Sequence, residues 1–184
     1  RYTPYFVSPL PHKANFQLRT ESFWHMFNEN WRLLRRELSL IVSGQKFLER
    51  RNIPEKTRRI LWLAPSIKNI GDAVMACSGR KLLTDKSYQL DVLLDAKVYP
   101  LFANDNCFSQ VYTDTSQIDT NYDLILLDSV KSISLKTKKK YFNKVPYCHF
   151  RGHFDGVEFN WILYSFHRIN ALLNYPCLLY TSPS

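Results

Sequence analysis

One carboxylate stands out for its setting. Asp72 follows Gly71 at the start of a helical pattern, just after the polar loop Pro65-Ser66-Ile67-Lys68-Asn69-Ile70-Gly71 that leaves the apolar run Ile60-Leu61-Trp62-Leu63-Ala64. Two roles fit an acidic residue there. It caps the helix and complements its dipole, or it stands at the ligand edge of a sheet and takes a proton from a substrate hydroxyl. Position alone leaves both open. The loop contains neither a Walker sequence nor GxGxxG, which excludes the usual phosphate-cradling and dinucleotide fingerprints. Cys77, Cys107, Cys148 and Cys177 are scattered without a CxxC pair. They read as small buried hydrophobes in a reducing compartment, and no His/Cys/Asp cluster has metal-ligand spacing.

The elements that would position Asp72 alternate between two grammars. Ile60–Ala64, Tyr88–Leu94, Phe108–Tyr112 and Tyr122–Asp128 are short apolar runs of the kind that form buried strands, with Pro146–Phe150 a fifth candidate. Between them fall helical stretches at Asp72–Leu83 and Lys97–Ala103, and a lysine-rich segment, Val130–Lys144, expected as a loop or exposed helix. A final helix is expected over Glu158–Asn174. Strands alternating with helices predict an α/β fold with a Rossmann-like, mostly parallel sheet and helices on both faces. In such sheets ligands sit at the carboxyl ends of the strands, where the Ser66–Asp72 loop lies.

The wider string carries a family resemblance. Arg59-Ile60-Leu61-Trp62-Leu63, followed by Ser66 to Met75 with its Gly71-Asp72 pair, resembles the opening of the heptosyltransferase-like glycosyltransferases, family 9. Leu90-Asp91-Val92-Leu93, Tyr99-Pro100-Leu101-Phe102, Val111-Tyr112, Tyr122-Asp123-Leu124-Ile125 and His167 to Leu173 are similar to later segments of that family, in its order. The resemblance covers roughly residues 58 to 174. It implies the N-terminal, acceptor-side half of a GT-B enzyme, with Asp72 as the base of an inverting transfer. Ser66, Lys68, Asn69 and Gly71 become the expected substrate-binding residues, Lys68 being suited to a phosphate or carboxylate. The co-substrate would be a nucleotide-sugar held mainly by a C-terminal half, so this segment by itself would be inactive. No metal or other cofactor is implied. The acceptor would be a glycan or lipid-linked glycan such as lipopolysaccharide core, and the transferred sugar a heptosyl or a hexosyl unit. The expected location is cytoplasmic, including the inner face of the cytoplasmic membrane.

Composition bounds these readings. With 184 residues, 45% hydrophobic and 22% charged, the chain suits one domain plus an appendage, and disorder is excluded. No apolar run approaches the roughly 20 residues needed to span a bilayer, and no leader is visible. Residues 1–60 carry 12 Lys+Arg and 5 Glu, a net +7, against 13 basic and 11 acidic residues, +2, in 61–184. The basic third, 1–57, reads as an extended arm followed by a helix over Glu21–Val42 with Phe23, Phe27, Trp31, Leu34, Leu38 and Ile41 on one stripe. That helix is expected to pack, or to dock on an anionic membrane surface. Lys136 and Lys138–Lys140 read as a solvated face or an attractor of an anionic acceptor, and His149 and His153, flanking Arg151, as candidates for lining the site. Residues 58–175 form the expected domain, and 176–184, ending Leu178-Leu179-Tyr180-Thr181-Ser182-Pro183-Ser184, resemble a non-native adapter tail. Two other function classes remain. One is a non-catalytic α/β interaction domain. The other is a basic nucleic-acid-binding module, although no RRM, KH, zinc-finger or helix-turn-helix signature is present and no nucleic-acid partner is expected.

Overall fold

Continuous apolar runs form strands only where both faces are covered, and the computed structural model of the chain has that arrangement. It describes residues 37–128, 132–149 and 161–173, together with Trp31, Leu34 and Arg35. Five parallel strands, β1 (Arg59–Ala64), β2 (Gln89–Leu94), β3 (Gln110–Tyr112), β4 (Leu124–Leu127) and β5 (Tyr147–His149), lie in the order β3-β2-β1-β4-β5. Ile60 stands between Leu90 and Leu124, and Leu63 between Leu93 and Leu127. This is the Rossmann-like α/β sheet predicted from the sequence, with β1 at its centre.

Alternate residues of each strand feed two cores. One face buries Ile60, Trp62, Val92, Leu94, Leu124 and Leu126. Against it pack residues of α2 (Ile70–Ala76), α3 (Arg80–Thr84), α4 (Tyr99–Phe102) and α6 (Trp161–Leu172). The other face buries Leu61, Leu63, Ile125, Leu127 and Tyr147 against Leu40 and against Leu135 and Phe142 at α5 (Ser132–Tyr141). Helices thus cover both sides. Trp62 is fully buried and meets Phe108 edge-on at 6.5 Å. Truncating such a side chain to Ala costs roughly 3–5 kcal/mol.

Several expectations are corrected. The helix expected over Asp72–Leu83 is two helices, because the chain turns at Cys77, Ser78 and Gly79, residues of weak helix preference. The carbonyl of Ala76 at that break accepts the Ser165 hydroxyl of α6 at 2.5 Å. The lysine-rich segment is helical, and Lys138 is buried rather than solvated, whereas Lys136 and Lys140 are exposed. Residues 37–57, expected outside the domain, belong to it: the compact unit begins at Glu37. Residues 37–42 are helical (α1), Gln45–Leu48 form a 3-10 turn, and Ile53 donates its N–H to Leu172 O at 2.8 Å. Leu40 docks into the core at 4% exposure, and on a helix this turns Leu38 and Ile41, each 51% exposed, toward solvent. Phe23, Phe27, Arg151, His153 and the tail 176–184 lie outside the described residues.

Candidate functional site

Strand order reverses between β1 and β4, so the crevice at the carboxyl ends of these two strands is the ligand position of an open parallel sheet. Two loops meet there. One leaves β1 at Pro65, and the other leaves β4 at Asp128. Asp128 joins them. Its carboxylate is fully buried and accepts the Ser66 hydroxyl at 2.5 Å and the Ser134 hydroxyl of α5 at 2.9 Å, while its N–H donates to Leu63 O at 3.1 Å. One carboxylate thereby pins the first loop and the start of α5 to the two central strands.

The expected site residues divide accordingly. Ser66 is half-buried, and its proton is committed to Asp128, so its part is to hold the loop. Lys68, Asn69, Gly71 and Asp72 are exposed at the mouth. Asp72 lies in the first turn of α2, and its carboxylate accepts an N–H of Asn69 at 3.3 Å. A Cβ added at Gly71 would meet nothing within 4 Å, so packing does not require glycine there. Ile70 and Val74, one helical turn apart, and Ile133 of α5 add exposed apolar side chains to the same two connections. The arrangement offers a solvent-facing carboxylate, an ammonium and apolar surface above a rigid base.

Asp128 and Ser134 were missed by sequence reasoning. The available signal was an acidic residue directly after the apolar strand Leu124–Leu127, at a position equivalent in the fold to the loop after β1. His149, expected as a candidate for lining the site, ends β5 in register with Leu127 and pairs with Glu49. Its side chain is 10% exposed, and Nε2 meets Glu49 Oε1 at 2.9 Å, on the segment that leads into β1. That contact and the Lys46 ammonium, 2.7 Å from Oε2, hold the Glu49 carboxyl down at about 2.

The opposite, amino end of the sheet carries a second polar network. Asp91 is fully buried and accepts the Tyr122 hydroxyl at 2.7 Å and the Arg59 guanidinium at 3.3 Å. Arg59 also meets Asp119 at 2.8 Å and lies over the Tyr122 ring at 4.6 Å. Asp123 accepts the backbone N–H groups of Arg58 and Arg59 at 2.8 and 2.9 Å. Burial and the Asp91 carboxylate push the Tyr122 hydroxyl well above its ordinary range. The similar segments around Arg59 and Tyr122-Asp123 are therefore one contact, which sets the register of β1 against β4.

Among the described residues no group of three or more His, Cys, Asp or Glu is placed to hold a metal ion, and no helix is long and apolar enough to cross a membrane. Cys77 and Cys148 are buried and Cys107 half-buried, all as free thiols. No protein-family model, curated protein or solved structure matches the chain.

Proposed function

We propose that this chain is the acceptor-side half of an inverting glycosyltransferase that moves a sugar, a heptose or related unit, from a nucleotide-sugar to a glycan or lipid-linked glycan such as lipopolysaccharide core. The observation that carries the reading is the place of Asp72. It is exposed on the first helix after the central strand, beside the β1/β4 crevice, where the fold puts a ligand. In the proposed step the Asp72 carboxylate takes the proton of the acceptor hydroxyl. The acceptor oxygen then bonds to the anomeric carbon, and the carbon–oxygen bond to the nucleoside diphosphate breaks with its electron pair leaving on the diphosphate. Lys68 would meet an acidic group of the acceptor, and the open space at Gly71 lets a ligand approach the backbone closely.

A second reading has an observation of its own. The Asn69 to Asp72 contact and the first-turn position of Asp72 are what a helix-stabilising carboxylate needs, as in a non-catalytic interaction domain. One substitution separates the two. Asp72→Asn, in the chain together with its donor-side half, is expected to lower kcat for nucleotide-sugar turnover by ~10²–10⁴-fold, with KM for the acceptor and the melting temperature nearly unchanged. Undiminished turnover refutes the base. If nucleoside diphosphate is not released with any glycan acceptor, the transferase reading itself is lost.

A further inference from the structure

Helix α5 runs from the crevice to the opposite edge of the sheet. Ser134, near its start, donates to Asp128 after β4, and Lys144, beyond its end, stands just before β5 begins at Tyr147. Its 10 residues span ~15 Å, so its lysines lead toward the amino ends of the strands and away from Asp128. Residues 132–149 hold Lys136, Lys138, Lys139, Lys140 and Lys144, and neither Asp nor Glu. Lys138 is buried, whereas Lys136, Lys140 and Lys144 are exposed and Lys139 half-buried. None of these last four pairs with a carboxylate among the described residues. The β3–β4 connection lies alongside, its Tyr122 ring 6.1 Å from that of Phe142, but its acids are engaged elsewhere. Asp114 accepts the Ser116 N–H at 3.0 Å, Asp119 the Arg59 guanidinium at 2.8 Å, and Asp123 the N–H groups of Arg58 and Arg59. A helix dipole favours cations only in the last turn, which accounts for Lys139 and Lys140 but for neither Lys136 before it nor Lys144 after it. Unanswered charge of one sign on one face marks a surface for an anionic partner.

The side chains of the face select the partner. Lysine is depleted at protein–protein interfaces, and a helix that lies in a bilayer surface needs projecting apolar side chains. Between Lys136 and Lys144 the exposed positions are Lys140, Tyr141 and Asn143, with no aliphatic among them. Lysines around an accessible aromatic ring are instead what a single nucleic-acid strand requires, because its phosphates meet the ammonium groups and its bases stack on the ring. Tyr141 is 39% exposed, and the Lys140 ammonium lies 4.8 Å from its ring centroid, so a base laid on that ring brings its phosphate beside a positive charge. We propose that Lys136, Lys139, Lys140 and Lys144, with Tyr141 among them, bind a single-stranded nucleic acid through its backbone and without regard to sequence. This surface is independent of the transferase reading.

The test is fluorescence anisotropy of a labelled single-stranded DNA oligonucleotide of mixed sequence, titrated with the full chain at several salt concentrations. Each phosphate neutralised contributes about −0.7 to the slope of log K against log salt, so four contacts give about −3, a loss of ~50-fold between 50 and 200 mM salt. The triple variant Lys136→Gln, Lys140→Gln and Lys144→Gln should bring the slope to about −1, with the far-UV spectrum and melting temperature intact, since these side chains are in water. Tyr141→Ala should weaken binding about fivefold or more, and Tyr141→Phe should restore it. Absence of binding at 50 mM salt overturns the proposal. So does an unchanged slope in the triple variant, which would assign the binding to other basic residues of the chain. Tighter binding to phosphatidylserine vesicles or to poly-glutamate than to the oligonucleotide overturns it in favour of a membrane or an acidic protein as the partner.

Discussion

Lys138 supplies a prediction whose size follows from its surroundings. Its side chain is fully buried in α5, its ammonium donates to Gln45 Oε1 and to Asn143 O at 3.3 Å, and it lies 4.9 Å from the Tyr147 ring centroid. These partners are neutral. Burial therefore dominates and pulls the ammonium from 10.5 down to about 8. Below pH 8 the lysine is charged in both folded and unfolded chains, and the folded state carries the whole cost of burying it. Between pH 8 and 10.5 the unfolded chain binds more protons than the folded one, so stability from this group rises with pH. The rise is the difference of 2.5 between the two values at 1.36 kcal/mol each, or ~3 kcal/mol. For a chain of this size that equals roughly 6–12 °C in Tm.

The assay is urea unfolding of wild type and Lys138→Met, followed by circular dichroism at pH steps across this window. Other groups titrate there as well. Cys148, pushed up to about 12 by burial, stays protonated when folded and so loses stability as pH rises from 9. Such effects are common to both proteins and cancel in the difference. The wild type should gain ~3 kcal/mol relative to the variant between pH 8 and 10.5, whatever the offset at neutral pH. Parallel stability curves would show that Lys138 is not charged and buried in the folded state, and would refute the reasoning.

Two further outcomes follow from the carboxyl groups of Asp128 and Glu49. Asp128→Ala removes the acceptor for Ser66 and Ser134 and should destabilise the fold by ~2–4 kcal/mol, with faster amide exchange in residues 66–69; a loss below 0.5 kcal/mol counts against its anchoring role. Glu49, held at about 2, contributes stability that is complete above its ordinary value of 4.5 and is lost as pH falls toward 2. Glu49→Gln should therefore flatten the acid limb of the stability curve, and an unchanged limb would dissociate that limb from the His149 and Lys46 contacts.

Sequence by itself determined the layer architecture. Ile60–Ala64, Val92–Leu94 and Leu124–Leu127 are apolar without interruption, which only a sheet covered on both faces satisfies, and the polar segments between them are long enough for helical crossovers. It also placed Ser66, Lys68, Asn69, Gly71 and Asp72 together, because they are neighbours in one loop and helix start. Tertiary structure decided what local pattern cannot carry. Asp128 meets Ser66 across 62 positions, and Lys138 meets Gln45 across 93, so neither burial has a sequence signature. Leu38 and Ile41 read as part of a core face by periodicity, yet α1 docks through Leu40. Amphipathic spacing specifies that a helix has two faces, whereas which one meets the core depends on the cavity that the sheet and α5 leave for it.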